Sequence, residues 1–407
     1  MTNTHFLPVR IHDVVRDKVF FPLLIIFPAV FPFPIRITTI VALLLFATWF
    51  ALNPFGKIKL ALKDRTIQLF VLILFVLPVL TVLYSANKNF SSIEKRLWLL
   101  MIPLLIYCTE INARQVKQIL FSFVIGCTIA SAYAFTKALQ DPGLLMTSEM
   151  TSYTLNITHV YFGMYLCLCA VIIVYYLLTE KHQPAISSLM VLWMAFLLMI
   201  LFIMAPRMSI IALFFLGIGW FILFIVKTRK WKTGMLMLIF PIILLSVVLL
   251  MFPNTLSRFL FMFNAENYQV GDNFWNNMGS RLSILKCVGE AFNTNPLIGT
   301  GIGDVQNDLD KCNESLYPTL IGMNPHNQFL QILLGTGIIG LLAYVFFVIY
   351  SILKGFKPEK ELYLSFLVIF LMCTLTESML ERQQGLVFFS FFYCLLLFHQ
   401  KREGAAV

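Results

Sequence analysis

The apolar runs of this chain constrain its fold more than any other feature. They recur along the whole length, and many approach or exceed the roughly 20 residues that a helix needs to cross a bilayer. Hydrophobic residues make up 59% of the chain and charged residues only 12%, whereas a soluble domain is about half apolar and a quarter charged. We therefore predict an all-α, polytopic integral membrane protein that forms a single membrane domain over residues 1–407.

About twelve apolar segments are predicted to be transmembrane helices. They are residues 19–33, 35–52, 67–84, 95–109, 117–138, 158–178, 186–204, 208–226, 233–252, 327–353, 361–376 and 384–399. No small-residue cleavage site follows the first apolar run, so we expect that run to be retained as the first helix. One large polar loop, residues 253–326, separates the ninth and tenth helices, and we expect short helices within it.

Basic residues indicate how the chain is oriented in the membrane. Most of the 30 lysine and arginine residues fall in alternate, short connections, which the positive-inside rule assigns to the cytoplasm. Both termini are then cytoplasmic, and the loops 139–157, 253–326 and 377–385 lie on the opposite side. The net charge of +10 then reflects this sidedness and contact with anionic lipids. No basic surface with interleaved aromatic residues indicates binding of nucleic acid.

The eight cysteines show no metal-ligand spacing. Six lie inside or at the ends of apolar runs, where cysteine behaves as a small hydrophobic residue: Cys108, Cys127, Cys167, Cys169, Cys373 and Cys394. Cys287 and Cys312 lie in the long polar loop. They can pair if that loop faces an oxidising compartment, but sequence separation does not establish disulfide geometry. We favour two free thiols over a disulfide.

Two arginines are candidates for binding an anion. Arg207 lies in LFIMAPRMSIIALFF, between two apolar runs, where a guanidinium is costly unless it meets water, an acid or a ligand. It either extends to a lipid headgroup or presents a planar donor set to phosphate. Arg281 follows Ser280, which we expect to cap a helix over RLSILKCVGEAF, so Arg281 lies in the first helical turn. That position favours an anion, although an ordinary solvated residue fits it as well.

The stretch NPHNQFLQILLGTGIIGLL places a histidine at the start of a long apolar helix. We expect Asn324 to be the N-cap, Pro325 the first helical residue and His326 part of the first turn. Polar or small residues at 328, 331 and 335 share one face, which predicts a polar strip facing a cavity. A lone histidine is usually a structural hydrogen-bonding group, but imidazole is also well suited to accepting a proton from a hydroxyl at neutral pH.

Two further features have ordinary explanations. The segment NPLIGTGIGDVQND contains glycines at 299, 301 and 303 but lacks a phosphate-loop Gly-Lys-Ser/Thr sequence. Its glycines therefore predict tight turns and close backbone approach. Glu377 and Arg382 lie five residues apart in the last outward loop. They either form an ion pair with each other or contact substrate.

Taken together, the motifs resemble the O-antigen ligase and O-antigen polymerase superfamily of bacterial membrane glycosyltransferases. The residues that carry the resemblance are RLSILKCVGEAFNTNPLIGTGIGD and NPHNQFLQILLGTGIIGLL. The motifs cover roughly residues 200–400, and the number of spans and the large late loop agree over the whole length. The motifs do not separate ligases from polymerases.

The resemblance implies an enzyme of the GT-C-like kind at the periplasmic face of the bacterial inner membrane. Its donor is a glycan on polyprenyl (undecaprenyl) pyrophosphate, and the acceptor of the ligase branch is the lipid A–core of lipopolysaccharide. The superfamily's essential residues correspond to His326, Arg281 and Arg207, and we add Asn327, Gln328, Glu377 and Arg382 as substrate-binding candidates. No metal and no cofactor is expected, because two arginines can neutralise the charge of a leaving pyrophosphate.

Other functions remain as alternatives. An O-antigen polymerase uses the same donor but a second polyprenyl-linked glycan as acceptor. A protein O-oligosaccharyltransferase often has an extracytoplasmic domain after the last helix, whereas this sequence ends in HQKREGAAV. A transporter or flippase usually places polar groups near the bilayer midplane in related halves. Here the polar groups cluster at one surface, and no internal repeat is visible.

The charge pattern makes a prediction about sidedness. Single cysteines placed near Lys57, Lys230 and Lys357 should react only with reagents that reach the cytoplasm. Single cysteines near Asn267 and Gln306 should react with reagents confined to the outside. The measurement is labelling of intact cells with a membrane-impermeant maleimide in a background without other reactive thiols. Labelling of positions 267 and 306 from opposite sides would show that the predicted topology is wrong.

Overall fold

The computed structural model describes residues 9–52, 54–88, 90–145, 149–229, 231–251, 260, 278–357 and 359–399. These residues form helices, turns and loops, with no β-strand among them. The predicted all-α class is therefore confirmed for the described part of the chain. Most of the predicted loop before residue 278 lies outside the described residues, as do Lys230, Asn267, Lys401 and Arg402.

Twenty α-helices are described, numbered here in chain order. They are α1 Val9–Val15, α2 Phe21–Ala29, α3 Ile35–Ala51, α4 Phe55–Ala61, α5 Arg65–Val71, α6 Leu77–Thr81, α7 Phe90–Arg96, α8 Trp98–Cys108, α9 Ala113–Gln140, α10 Pro142–Leu145, α11 Met150–Leu155, α12 His159–Thr179, α13 Pro184–Met204, α14 Arg207–Thr228, α15 Trp231–Met251, α16 Met278–Thr294, α17 Val305–Leu316, α18 Gln328–Gly355, α19 Glu361–Thr374 and α20 Gln383–His399. Short π-helical turns, Arg16–Phe20 and Leu72–Val76, join α1 to α2 and α5 to α6, and 3₁₀ turns occur at Pro318–Leu320 and Met379–Glu381.

Every predicted apolar segment coincides with helical structure. Among the described residues, five helices are long and apolar enough to cross a membrane. These are Ala113–Gln140, His159–Thr179, Pro184–Met204, Arg207–Val226 and Gln328–Gly355. The sharply bent pair Ile35–Ala51 and Phe55–Ala61 makes a sixth if it forms one span. The polytopic helical membrane class is thus supported, whereas the count of twelve spans stays a prediction.

Helices α12 and α20 form the centre of the bundle. Both are apolar around their whole circumference, as is typical of helices surrounded by other helices. Every residue of α20 from Gly385 to Leu396 is buried. Aromatic rings fill the space between the helices: Tyr165 of α12 stacks on Phe388 with ring centroids 4.7 Å apart. The six free cysteines are all buried, as their apolar surroundings in the sequence predicted.

Helix α18 is broken near its first third. Gly337 has φ 66° and ψ −169°, which no helix contains, so the backbone groups around it lose their helical partners. The segment 296–301 supplies replacements. Four backbone hydrogen bonds connect the two segments: Thr300 N–H to Leu334 O (2.9 Å), Gly301 N–H to Gly335 O (3.1 Å), Ile338 N–H to Pro296 O (2.9 Å) and Ile339 N–H to Leu297 O (3.2 Å). The large loop is therefore fastened to a membrane helix by its backbone.

The glycine-rich motif packs between this break and the end of α6. A Cβ atom on Gly301 would lie 2.1 Å from Ser85 Oγ, so the position accepts no larger residue. Immediately after the motif, the Asp304 carboxylate accepts hydrogen bonds from the backbone N–H groups of Ala86 (2.5 Å) and Asn87 (2.9 Å). The sequence-based prediction of tight turns and close backbone approach is confirmed.

Helices α16 and α17 form a small unit on top of α18. Their own apolar core contains Ile284, Val288 and Leu309, together with Leu334 of α18. Cys287 and Cys312 form a disulfide with their Cα atoms 5.5 Å apart, so the free-thiol interpretation favoured from the sequence is wrong. The packing of the two helices brings the Cα atoms into the range that a disulfide requires, which spacing in sequence could not reveal.

The break in α18 generates a prediction about stability. Replacing Gly337 by alanine should lower the free energy of unfolding by about 2 kcal/mol or more, because a left-handed backbone costs an L-residue roughly 1–2 kcal/mol. The new Cβ would also lie 2.2 Å from the Leu297 carbonyl oxygen. Gly219→Ala is the matched control. Gly219 lies inside α14, and a Cβ atom at this position would have no neighbouring side-chain or loop atom within 4 Å. Thermal unfolding in detergent measures both variants, and equal melting temperatures would contradict the proposed fastening.

Candidate active site

His326 lies in the loop before α18, not inside the helix. The N-cap is Asn327, whose Oδ1 accepts from the N–H groups of Phe329 (2.9 Å) and Leu330 (3.1 Å). The expectation that Asn324 caps the helix is therefore wrong. Asn324 Oδ1 instead accepts the His326 N–H at 2.8 Å. His326 has φ 47°, a left-handed conformation that a helix excludes and that a side chain rarely adopts without support.

The His326 imidazole pairs with the carboxylate of Glu377. Nδ1 lies 3.1 Å from Glu377 Oε2. An ionised carboxylate only accepts hydrogen bonds, so Nδ1 carries the proton and Nε2 is left as the basic nitrogen. About 29% of the His326 side chain is exposed, against 12% for Glu377. The carboxylate is thus sheltered behind an imidazole that a substrate can reach.

The surroundings of Glu377 favour its charged form. Burial acts to raise the pKa of the Glu377 carboxyl, but the hydrogen bond and charge of His326, the charge of Arg382 and a hydrogen bond from Asn324 lower it, and the net pKa is below the ordinary value. The pair with His326 therefore stabilises the fold above the ordinary carboxyl pKa. That stabilisation is lost as the pH falls through the lower pKa of the folded state.

Arg281 lies in the first described turn of α16, but Ser280 is not the N-cap of that helix. The described part of the helix begins at Met278, so Ser280 is already inside it. The Arg281 side chain has a large exposed area, yet surrounding protein atoms lower the pKa of its guanidinium, while the charge of Glu377 raises it. A side chain in a concave surface can be exposed to water and still be surrounded by protein atoms, which accounts for both findings. Arg281 is therefore near enough to Glu377 for their charges to interact.

Arg207 is the first residue of α14, two residues after Ala205, whose backbone is left-handed. The start of α14 packs between two neighbours. Cys167 of α12 donates to the Ser209 carbonyl at 3.1 Å, and Ser209 Oγ lies 3.7 Å from Cys373 Sγ in the last turn of α19. Glu377 follows Cys373 by four residues. Arg207 is thus at the same end of the bundle as the His326–Glu377 pair.

Asn327 and Gln328 fasten two loops together. Asn327 Nδ2 donates to the Leu375 carbonyl at 3.0 Å, and Gln328 Oε1 accepts the Leu380 N–H at 2.7 Å. Gln328 is 1% exposed. Both side chains were candidates for binding substrate, but their contacts hold the Glu377 loop against the start of α18. Their substrate-binding role stays a prediction.

Arg382 acts on Glu377 through its charge rather than through direct contact. Within 4 Å, the ion-pair partner of Glu377 among the described residues is His326. The direct Glu377–Arg382 ion pair considered from the sequence is therefore not formed. The Arg382 side chain is exposed at the same end of the bundle, so a contact with substrate stays a prediction for this residue.

A cavity of about 30 Å³ lies beside the start of α18, enough for one water molecule. Gln328, Gln331 and Gly335 all line it, which confirms the polar strip predicted from their spacing. Gln331 Oε1 is buried without a hydrogen-bond partner in the described part of the chain. Arg96 and Glu381 line the same cavity.

Two features of this end of the bundle were not predicted from the sequence. The first is that Glu377 contacts His326 directly, and the second is the ion pair between Arg96 and Glu381. The position of Arg96 in the sequence could have indicated a special role, because this charge directly precedes the apolar run LWLLMIPLLI. No three His, Cys, Asp or Glu side chains of the described residues are placed to hold a metal ion.

One stretch of the chain contains the three residues His326, Arg281 and Arg207. Residues 190–345 match the family model described as O-antigen ligase. This match confirms the resemblance to the O-antigen ligase and polymerase superfamily, and it supports an enzyme embedded in the membrane. Glu377, Arg382 and Arg96 lie outside the matched segment. A comparison with curated proteins gives no match.

The His326–Glu377 pair makes a prediction for catalysis. Glu377→Gln should lower turnover by about 10²–10⁴-fold, the usual contribution of a positioned acid or base. The neutral amide removes the charge that stabilises the imidazolium ion and no longer selects the tautomer with a free Nε2. Binding of the lipid-linked donor should change little. Glu314→Gln, at an exposed carboxylate of α17, is the control. Unchanged turnover in Glu377→Gln would remove Glu377 from the mechanism.

Proposed function

We propose that the protein is an O-antigen ligase that transfers a glycan from polyprenyl (undecaprenyl) pyrophosphate to a hydroxyl of the lipid A–core. The observation that carries the proposal is the His326–Glu377 pair, a base with an oriented free nitrogen, at the end of the bundle where Arg281 also lies. The family match covers the histidine and both arginines. Together these groups supply a base for the acceptor and positive charge for the donor.

In the proposed reaction, the acceptor hydroxyl attacks the anomeric carbon of the donor sugar. Nε2 of His326 accepts the hydroxyl proton as the new carbon–oxygen bond forms. The bond from the anomeric carbon to the pyrophosphate oxygen breaks on the opposite side, so the configuration inverts and polyprenyl pyrophosphate leaves. Glu377 stabilises the imidazolium ion that results, because its carboxylate faces Nδ1.

The two arginines are proposed to bind the pyrophosphate. Their planar guanidinium groups can form two parallel hydrogen bonds to phosphate oxygens. Arg281 also lies in the first described turn of α16, close to a helix end that favours an anion. As the leaving group gains charge, both guanidinium groups stabilise it without help from a divalent metal ion. Asn327, Gln328, Glu377 and Arg382 are proposed to contribute further contacts to the substrates.

A periplasmic location of this site is supported by two independent features. Disulfides persist in oxidising compartments, and Cys287–Cys312 joins the two loop helices that pack on α18. The basic residues of the alternate connections favour a cytoplasmic location for the opposite ends of the helices. The proposal therefore places the reaction at the outer face of the bacterial inner membrane, with about twelve spans and both termini inside.

Deletion of the gene tests the proposed function and separates it from the alternatives. The readout is electrophoresis of lipopolysaccharide together with analysis of polyprenyl-linked glycans. A ligase deletion should abolish all long glycan on the core while polyprenyl-linked polymer accumulates. Wild-type protein should restore the pattern, whereas His326→Ala, Arg281→Lys and Arg207→Lys should not, because the arginine variants keep the charge but lose the bidentate geometry.

Other outcomes of the same experiment would support other functions. A single repeat left on the core indicates an O-antigen polymerase, and loss of glycan from proteins indicates a protein O-oligosaccharyltransferase. Accumulation of donor on the cytoplasmic side indicates a flippase. With purified protein, transfer should continue in excess chelator, and a strict requirement for magnesium or manganese would contradict the role given to the arginines.

A further inference from the structure

Arg96 and Glu381 form a buried ion pair close to the proposed site. Arg96 is the last residue of α7, and its Nη2 lies 2.6 Å from Glu381 Oε1. Only 6% of the Arg96 side chain and 23% of the Glu381 side chain is exposed. Nη1 of Arg96 also donates to the Ser92 carbonyl at 3.1 Å. Removing two charges from water is costly, so the fold places this pair here against an energetic penalty.

The pair holds one end of the turn that follows Glu377. Glu381 is the last residue of the 3₁₀ turn Met379–Glu381. At the start of this turn, the Met379 N–H donates to the Glu377 carbonyl at 3.0 Å. The Gln328 side chain holds the middle of the turn through the Leu380 N–H. The turn is thus fixed between α7 on one side and α18 on the other. A shift of Glu381 would move Glu377 relative to His326.

The two carboxylates have a common neighbour in Tyr161. Glu377 and Glu381 are separated by one helical turn of sequence, and the charges of both act on Tyr161. The groups whose charges interact with Glu377 are His326, Arg382 and Arg281. Without Arg96, Glu381 would add an unpaired negative charge to this group. The guanidinium of Arg96 pairs with Glu381, whereas Glu377 is the carboxylate that contacts the imidazole.

We propose that Arg96 is a positioning residue for glycan transfer, which acts by holding and neutralising Glu381 so that Glu377 keeps its contact with His326. The inference rests on the proposed function, since it concerns the same site. The polar contacts of Arg96 are with the Ser92 carbonyl and the Glu381 carboxylate. Its effect on turnover passes through the turn 377–381.

The test changes the charge and the length of the side chain at position 96 and removes the charge of its partner at position 381. Arg96→Met should lower kcat by about 10–100-fold, the scale of a displacement of about 1 Å in a catalytic group, with little change in KM for the donor. Arg96→Lys keeps the charge and should retain most of the turnover. Arg96→Met combined with Glu381→Gln should regain part of it, because no carboxylate is then left unpaired. Lys95→Met is the control, since it removes an exposed positive charge one residue away.

The pH profile separates positioning from a purely structural role. In Arg96→Met, a displaced Glu377 no longer stabilises the protonated imidazole, so the acidic limb of the rate profile should move to lower pH. In the double variant it should return to the wild-type position. If Arg96→Met accumulates poorly, Glu381→Gln alone supplies the test and should lower kcat with the acidic limb unshifted or moved to lower pH.

Three results have different meanings. Wild-type kcat and pH profile in Arg96→Met and in Glu381→Gln, with His326→Ala inactive, would overturn the positioning role and leave the proposed function in place. Wild-type transfer in His326→Ala would instead overturn the proposed function. Equal losses in Arg96→Met, Arg96→Lys and the double variant, with an unchanged pH profile, would also overturn the positioning role, because they would indicate a loss of packing rather than of charge.

Discussion

The hydrogen bonds at the break in α18 are the constraint on which the site depends. Backbone N–H and C=O groups inside a membrane protein have no water to pair with, so a broken helix requires partners from elsewhere in the chain. Here the partners come from residues 296–301 of the large loop. The loop is therefore part of the membrane fold rather than an appendage to it. Its disulfide-linked helices, and Arg281 with them, are held over the start of α18, where His326 lies.

The same end of the bundle combines water access with a low dielectric. His326 is partly exposed, while Glu377 and the Arg96–Glu381 pair are mostly covered by apolar helices. Charges in such surroundings interact more strongly than charges in water, and their fixed positions avoid reorganisation during a reaction. A boundary position of this kind is consistent with the proposed transfer from a membrane-anchored donor. The strained backbone of His326 fits the same interpretation, since Asn324 holds its N–H and Glu377 holds its imidazole.

Sequence patterns predicted the helices because apolar length and composition determine them locally. The polar strip of Gln328, Gln331 and Gly335 and the close packing of the glycine motif were also predictable, since helical periodicity and the absence of a Cβ are local properties. The sequence-based prediction of the α18 N-cap, Asn324, is three residues too early, because Asn324 and Asn327 are both good capping residues. Only the backbone conformation shows that Asn327 is the cap. The disulfide and the His326–Glu377 contact join residues that are far apart in the sequence, and only helix packing brings them together.

The candidate site is formed by residues inside the segment that matches the family model and by residues that follow it. His326, Asn327 and Gln328 lie in the matched segment 190–345, and each contacts the loop after α19: His326 through Glu377, Asn327 through the Leu375 carbonyl and Gln328 through the Leu380 N–H. Three consecutive residues thus use three different groups of one short loop. Because that loop connects α19 to the buried helix α20, its position is set by the centre of the bundle. The matched segment contains the histidine, but its orientation depends on the last two helices, so the two parts can only form the site together.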